Sequence, residues 1–493
     1  MILLFIALPL IVAGILPLVG KFSKSFLPDL LANGVFAVLV AAAVFSARPL
    51  IGNGPVVQTL SWLGESVNIQ LALDGLSVLM LFVIALVSLA SGLFSINYME
   101  HYGGKANFYA LFLIMVAGMN GLVLTTDLFN IYLFLEVAAV ASYALVAFGL
   151  EHDELEASFK YLMLSAVASA FILLSIAVIF GLTGGLSFEA VSGGLASLDV
   201  KYPMAICAAF FILGFGLKAA LIPFHAWLPD AHPSAPAPIS AMLSGLLIKV
   251  SGVYALTRVF IGVLGLTPAL SKVLMWLGVI SLVAAAFLAL GQKDIKRMLA
   301  YSSISQVGLI VLGIGLGTPL GILGGLFHLF NHALAKGLLF LNSGSIMQST
   351  GTRNLDEMGG LARRMPFTAA TTLVGSLSIA GVPPLNGFWS KLIIIVALVQ
   401  ANQWAFAVIA VLASVLTLWY YLLIQRKAFF GKLGERWKDV KEAPFWMTAS
   451  TAGLALLCIG TGVFFALTVK DWIQPAADTL ANGIQAMFSS LGF

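Results

Sequence analysis

Apolar runs of about twenty residues recur along the whole chain, each closed by Gly, Pro or charge, and this repetition constrains the fold more than any motif does. A helix needs roughly 20 apolar residues to cross ~30 Å of hydrocarbon. In lipid, only helices and closed barrels satisfy every backbone polar group. A membrane barrel needs alternating segments of about ten residues, and the sequence has none. The runs predict an all-α polytopic membrane protein with about fourteen transmembrane helices. Approximate limits are 2–20, 29–47, 75–97, 107–123, 128–150, 160–183, 204–222, 239–262, 272–291, 297–316, 320–348, 366–400 (interrupted), 403–426 and 445–469. Only 9% of the residues are charged, against about 25% in soluble chains, so the chain has too little charge to cover a water-facing surface.

The chain reads as a single membrane domain, 1–493, with no soluble domain, linker or low-complexity tract. The first apolar run has no basic residue before it, unlike a cleavable signal, and is expected to be a retained helix. Cys207 and Cys458 both lie inside apolar runs and neither belongs to a CxxC pair, which argues against disulfides, iron–sulfur ligation and a cysteine zinc site. No phosphate-binding loop or dinucleotide fingerprint follows a strand, so no cofactor is expected in this chain. The net charge of +4 sits in short interhelical loops and is no nucleic-acid signal.

Basic residues mark the cytoplasmic side of a membrane protein. With the N-terminus outside, the cytoplasmic loops hold sixteen of them: Lys21, Lys24, Lys105, Lys160, Lys293, Lys296, Arg297, Arg353, Arg363, Arg364, Arg426, Lys427, Lys432, Arg436, Lys438 and Lys441. The other side holds five: Arg48, Lys201, Arg258, Lys272 and Lys470. A multi-pass protein of the inner (plasma) membrane, with both termini on the non-cytoplasmic side, is the expected arrangement. The polar stretch 426–443 is expected to be a cytoplasmic loop or short amphipathic helix, serving as a topology determinant or a docking surface.

Four lysines and a glutamate fall inside the spans: Lys218, Lys249, Lys336, Lys391 and Glu136. A charge at the bilayer centre costs at least ~2.5–3.5 kcal/mol, so such residues are normally paired, face a hydrated cavity and mark a pathway. Burial disfavours a charged side chain and an opposite partner favours it; a lysine balanced between the two can take up and release a proton. Lys218 stands just before Pro223, and Lys391 just after Pro383 and Pro384. Two interrupted helices, each with a nearby lysine, point to an ion path between two structural repeats. Between them, His328, His332 and Lys336 follow at i, i+4, i+8 on one helix face. Imidazole titrates near neutral pH, which suits a proton wire, a satisfied polar packing stripe being the other reading; no third ligand is obvious to complete a metal site. Ser302, Ser303, Ser305 and Gln306 are placed to hold water or to bond neighbouring helices. Asp74 and Asp127 are expected as helix caps or ion-access groups, and His225, Asp230 and His232 as gating or structural groups in the proline-rich break.

The segments FHAWLPDAHPSAPAPISAMLSGLLIKVSGVYAL, HLFNHALAKGLLFL and GVPPLNGFWSK resemble the antiporter-like subunits of complex I and its relatives. Those relatives include the Mrp multisubunit cation/proton antiporters and the membrane arms of energy-converting hydrogenases. The resemblance implies a fourteen-helix core with two inverted five-helix repeats and a central hydrophilic axis. It places N-terminal helices at 1–100, a first repeat at 107–262, a second at 272–426, and a cytoplasmic loop with a C-terminal helix at 427–493. The family's glutamate matches Glu136, its broken-helix lysine Lys218 and its bridging lysine Lys249; the histidine of the next repeat matches His328 or His332, with Lys336 adjacent, and the terminal lysine Lys391. Lysine at position 391, and the chain length, are most similar to the D-type subunit of Mrp antiporters or its hydrogenase-arm counterpart. The resemblance implies a proton-translocating subunit that works with other membrane subunits in the lipid bilayer, carrying protons, with sodium as counter-ion in an antiporter. The alternative is a proton-pumping arm of a hydrogenase or NADH-quinone oxidoreductase whose redox work sits on other chains.

Overall fold

The computed structural model describes residues 2–23, 26–53, 55–61, 68–196 and 201–481. Eleven helices among them are long and apolar enough to cross a membrane. Three further crossings complete the bundle. Tyr202–Lys218 is short because it is broken. Pro319–Thr350 is long but carries the histidines and Lys336. Pro366–Ala380 and Asn386–Gln400 are two halves of one interrupted span. The all-helical polytopic architecture therefore matches the expected spans to within a few residues at most ends. Lys24, counted above as a loop cation, lies outside the described residues, as does the chain beyond Ala481.

The expected loop between the second and third spans contains a two-stranded antiparallel ribbon, Val56–Ser61 with Asn68–Leu73, in the register Val56 to Leu73. Short alternating runs such as NIQLAL carry too weak a signal to be read as strands. The ribbon leads into Asp74, whose Oδ1 accepts from Ser77 N at 2.8 Å while Asp74 N donates to Ser77 Oγ at 2.7 Å, a reciprocal cap that starts helix Gly75–Tyr98. Asp127 caps Leu128–Val146 without the reciprocal bond, accepting from Phe129 N and Asn130 N. Both aspartates thus have the capping role.

Helices approach closely where glycines face each other, as membrane helices gain mainly from packing. A Cβ on Gly278 would stand 2.7 Å from Gly308 O, which brings Pro268–Leu290 and Ile295–Gly315 backbone to backbone. Past Val463 the chain bends and runs over the bundle end opposite the basic loops. Trp472 stacks there on Phe82 with centroids 4.1 Å apart, and Pro475 closes over Gly75. At the other end, residues 426–429 finish the helix that starts at Trp404, and the rest of stretch 426–443 is a loop with one short turn, Glu435–Trp437. Its Glu442 accepts from Phe367 N at 2.8 Å and Thr368 Oγ1 at 2.6 Å, capping the first half of the interrupted span.

Candidate functional site: a buried axis of charge

Helix Lys201–Lys218 ends on Lys218 itself. Pro223 offers no backbone donor, and side chains satisfy the backbone groups that the break frees. Trp227 Nε1 donates to Leu217 O at 2.9 Å, and Ile222 N donates to Ser281 Oγ at 2.9 Å. Lys218 therefore stands at a helix C-terminus, where the macrodipole favours positive charge. Its Nζ lies 3.3 Å from Glu136 Oε1 and donates to Ser165 Oγ at 2.5 Å. Ser169 Oγ donates to the same Glu136 oxygen. The lysine side chain is 3% exposed and the glutamate 29%, so the carboxylate half-faces the outside of this chain at membrane depth.

The second break repeats the logic. Pro366–Ala380 stops at Gly381, whose φ of 85° suits glycine. Ser378 Oγ donates to Asn386 Oδ1 at 2.5 Å, Asn386 Nδ2 to Thr461 Oγ1 at 3.0 Å, and Asn331 Nδ2 to Asn386 O at 2.9 Å. Lys391 Nζ points to Ala380 O, at the C-terminus of the first half, and to Ser414 Oγ, both at 3.4 Å. No carboxylate pairs with it among the described residues.

Between the two breaks, Lys249 lies on Ala237–Val263 within a segment, Leu243–Tyr254, wound with i→i+5 hydrogen bonds. Such winding is rare and concentrates at functional sites. Lys249 Nζ donates to Ser244 O at 2.5 Å and Gly245 O at 3.0 Å. Lys336 Nζ donates to Leu299 O at 2.8 Å and lies 5.6 Å from the Tyr421 ring centroid. His332 is buried among Lys249, Lys336, His328 and Lys391, and neither of its ring nitrogens has a hydrogen-bond partner among the described residues. Its ring stacks near His328 with centroids 6.2 Å apart. His328 reaches Ser390 Oγ through Nδ1 (2.9 Å) and Gln306 Oε1 through Nε2 (3.1 Å). Ser390 is the residue before Lys391, so this bond carries the line to the second break. Six of the seven residues named from the sequence are buried along this band and Glu136 stands half-exposed at its edge, and that one carboxylate can neutralise only one of four lysines.

Three residues counted above as loop cations are buried instead. Lys296 is 1% exposed, because Ile295–Gly315 already includes it and Ala235 O, at 2.7 Å, satisfies its ammonium. Lys105 is held by Asp29 at 2.8 Å, and Arg258 by Asp74 at 2.7 Å. Charge position relative to a hydropathy window gave no sign of these pairs. Lys296 also lines a cavity of about 730 Å³ at the basic end of the bundle, with Glu154, Lys160, Asp230, Arg297 and Arg353. Asp230 bridges Arg297 at 2.9 Å and Lys160 at 3.4 Å there. His232 lies inward of this cavity among Lys296, Lys336 and Lys249, stacked on Phe340 at 4.4 Å, again with neither nitrogen hydrogen-bonded among the described residues. Sequence reading also left Ser165, Ser169, Ser390 and Ser414 unmarked; small hydroxyls inside apolar runs look like packing residues until a lysine is seen beside them.

Fold and site together define a polytopic membrane protein with a string of ionisable groups crossing its interior between two broken helices. Residues 125–417 match the family described as NADH:quinone oxidoreductase/Mrp antiporter, TM, and 61–109 match complex I chain 5 N-terminus. The chain belongs to that NADH:quinone oxidoreductase/Mrp antiporter family. It is 35% identical to the N-type subunit of NADH-quinone oxidoreductase from Desulforudis audaxviator over 87% of this chain and 86% of that one. It is 31% identical to the D-type subunit of the Na(+)/H(+) antiporter from Alkalihalophilus pseudofirmus over 88% and 87%. Among solved structures it is similar to a chain of the Mrp complex from Dietzia sp. DQ12-45-1b, with TM-score 0.92, 28% identity and coverage of 100% and 99%. A chain of the archaeal membrane-bound sulfane sulfur reductase is similar at TM-score 0.90, 30% identity and 99% coverage of both.

Proposed function

We propose that the chain is a proton-translocating subunit of a multisubunit membrane complex, of the D type found in Mrp antiporters. The observation that carries this reading is the charge count of the axis: a Glu136–Lys218 pair at its edge, leading to three buried lysines with no carboxylate partner among the described residues. An inert scaffold gains nothing from the insertion cost of those groups. In this reading the pair is a switch. A neighbouring subunit's charge draws Glu136 away, Lys218 loses its partner, and the proton moves through Lys249 and His332 to Lys336, His328 and Lys391. The half-exposed carboxylate supports a protein neighbour on that wall, since lipid offers it no partner. The cavity around Glu154 and Lys296 supports access from the basic, cytoplasmic side, with both termini opposite. Residues 107–262 and 272–426 act as the two repeats.

Lys218→Ala in this chain tests the reading: assembly is kept and transport is lost, and full activity in that variant overturns the role. A second reading, a proton-pumping arm of a redox enzyme, is favoured by the 35% identity to a quinone oxidoreductase subunit. Gentle purification of the native complex separates the two. Stoichiometric iron, with or without nickel, means a redox-driven pump; small hydrophobic partners without metal mean a cation/proton antiporter.

A further inference from the structure

Helix Ala237–Val263 carries polar groups beyond Lys249, toward the end away from the basic loops. Tyr254 follows Lys249 by five residues, one turn of the i→i+5 segment, and Arg258 follows by four more. The Tyr254 hydroxyl donates to Val123 O at 2.7 Å and accepts from Arg258 Nε at 3.0 Å. Its donor and its acceptor are therefore both engaged, which leaves it poorly placed to pass a proton. Arg258 Nη2 meets Asp74 Oδ2 at 2.7 Å as an ion pair, without a well-aligned hydrogen bond to that oxygen. The two side chains are only 6% and 3% exposed. Asp74 is itself fixed by the reciprocal cap with Ser77, and the tail around Trp472 and Pro475 lies over the same end.

The order from the membrane centre outward is Lys249, a saturated hydroxyl, a guanidinium, and then a carboxylate. Arginine keeps its charge at any accessible pH. A fixed positive charge at a constriction excludes protons and other cations from a pore. We propose that Tyr254, Arg258 and Asp74 form a cation-excluding seal that closes the axis to the outer face above Lys249 and turns protons sideways toward His332 and Lys391. This rests on the transport reading above and adds where the first half of the chain is shut. Asp74 is a positioning residue here: it holds the guanidinium through Nη2, while Nε is turned inward to the Tyr254 hydroxyl.

The test uses the complete complex in lipid vesicles with no driving force, reading passive proton leak after a pH jump. Arg258→Gln with Asp74→Asn keeps polar contacts and removes both charges. The seal predicts at least tenfold faster leak in the assembled complex, returned to the wild-type rate by adding Lys249→Met. Wild-type tightness in the assembled double variant overturns the seal. So does a leak that Lys249→Met leaves unchanged, since that comes from loosened packing. Arg258→Gln alone, which keeps the Asp74 cap on Ser77, carries the same expectations if the double variant does not assemble. Lys249→Met in an otherwise native chain separates this from failure of the transport reading. Unchanged transport there sinks the transport reading, whereas absent leak with transport lost sinks only the seal.

Discussion

Replacing Glu136 by glutamine removes one charge and almost no volume, and its effect follows from the geometry. At 3.3 Å from Lys218, an effective dielectric of about 20 gives roughly 5 kcal/mol of attraction. Glu136 is 29% exposed, so solvent or a neighbouring subunit screens part of it, leaving about 2–3 kcal/mol. Ser165 still accepts from Lys218, so the lysine keeps one hydrogen bond. If the pair is what loads Lys218 with its proton before the switch, a loss of that size lowers the loaded fraction and slows transport roughly 30- to 150-fold. The assay is dye-reported proton movement in vesicles bearing the complex, with subunit stoichiometry checked on the same sample. A fully assembled Glu136→Gln complex that transports within twofold of wild type refutes the argument that the pair is a switch.

Further outcomes follow from other contacts. His328→Ala removes the bridge between Gln306 and Ser390 and lowers transport by about 10²-fold if the ring passes the proton; an unchanged rate shows that the line runs elsewhere. Glu442→Ala uncaps Pro366–Ala380, which costs about 0.5–2 kcal/mol and lowers the melting temperature of the detergent-purified complex by roughly 1–2 °C, with transport unaffected. On the basic face, hydrogen bonds from Lys427 and Lys293 hold the Asp356 carboxyl below its ordinary value of 3.8. A depressed carboxyl stabilises the fold above its unfolded value and loses that contribution as pH falls through the folded one. Asp356→Asn therefore lowers heat resistance at neutral pH, and the difference from wild type fades below pH ~4; a difference independent of pH contradicts the ion-pair origin.

Much of the fold is legible in the sequence because hydrocarbon thickness imposes its own length on each span. The two breaks are legible because Pro223, Pro383 and Pro384 offer no backbone donor inside apolar runs. The band from Glu136 to Lys391 is legible because a charge at that depth needs a reason. What sequence reading misses is pairing. Lys296, Lys105 and Arg258 sit near helix ends, where a hydropathy window takes them for loop residues, yet each is buried against a carbonyl or a carboxylate. The Glu136–Lys218 contact joins residues on different helices; no local pattern encodes it, and only the family resemblance implies it. The ribbon at 56–73 escapes notice because two six-residue strands give little periodicity between two strong apolar helices.

The most direct test is Lys249→Met in this chain alone, within the native complex. Lys249 pairs with no carboxylate among the described residues; its ammonium bonds Ser244 O and Gly245 O of its own helix. Methionine fills similar space and leaves no opposite charge stranded, so assembly is preserved and the transport rate reports the lysine's proton-carrying role. The account predicts a complex of normal composition that moves no protons. A complex of normal composition that moves them at the wild-type rate contradicts it.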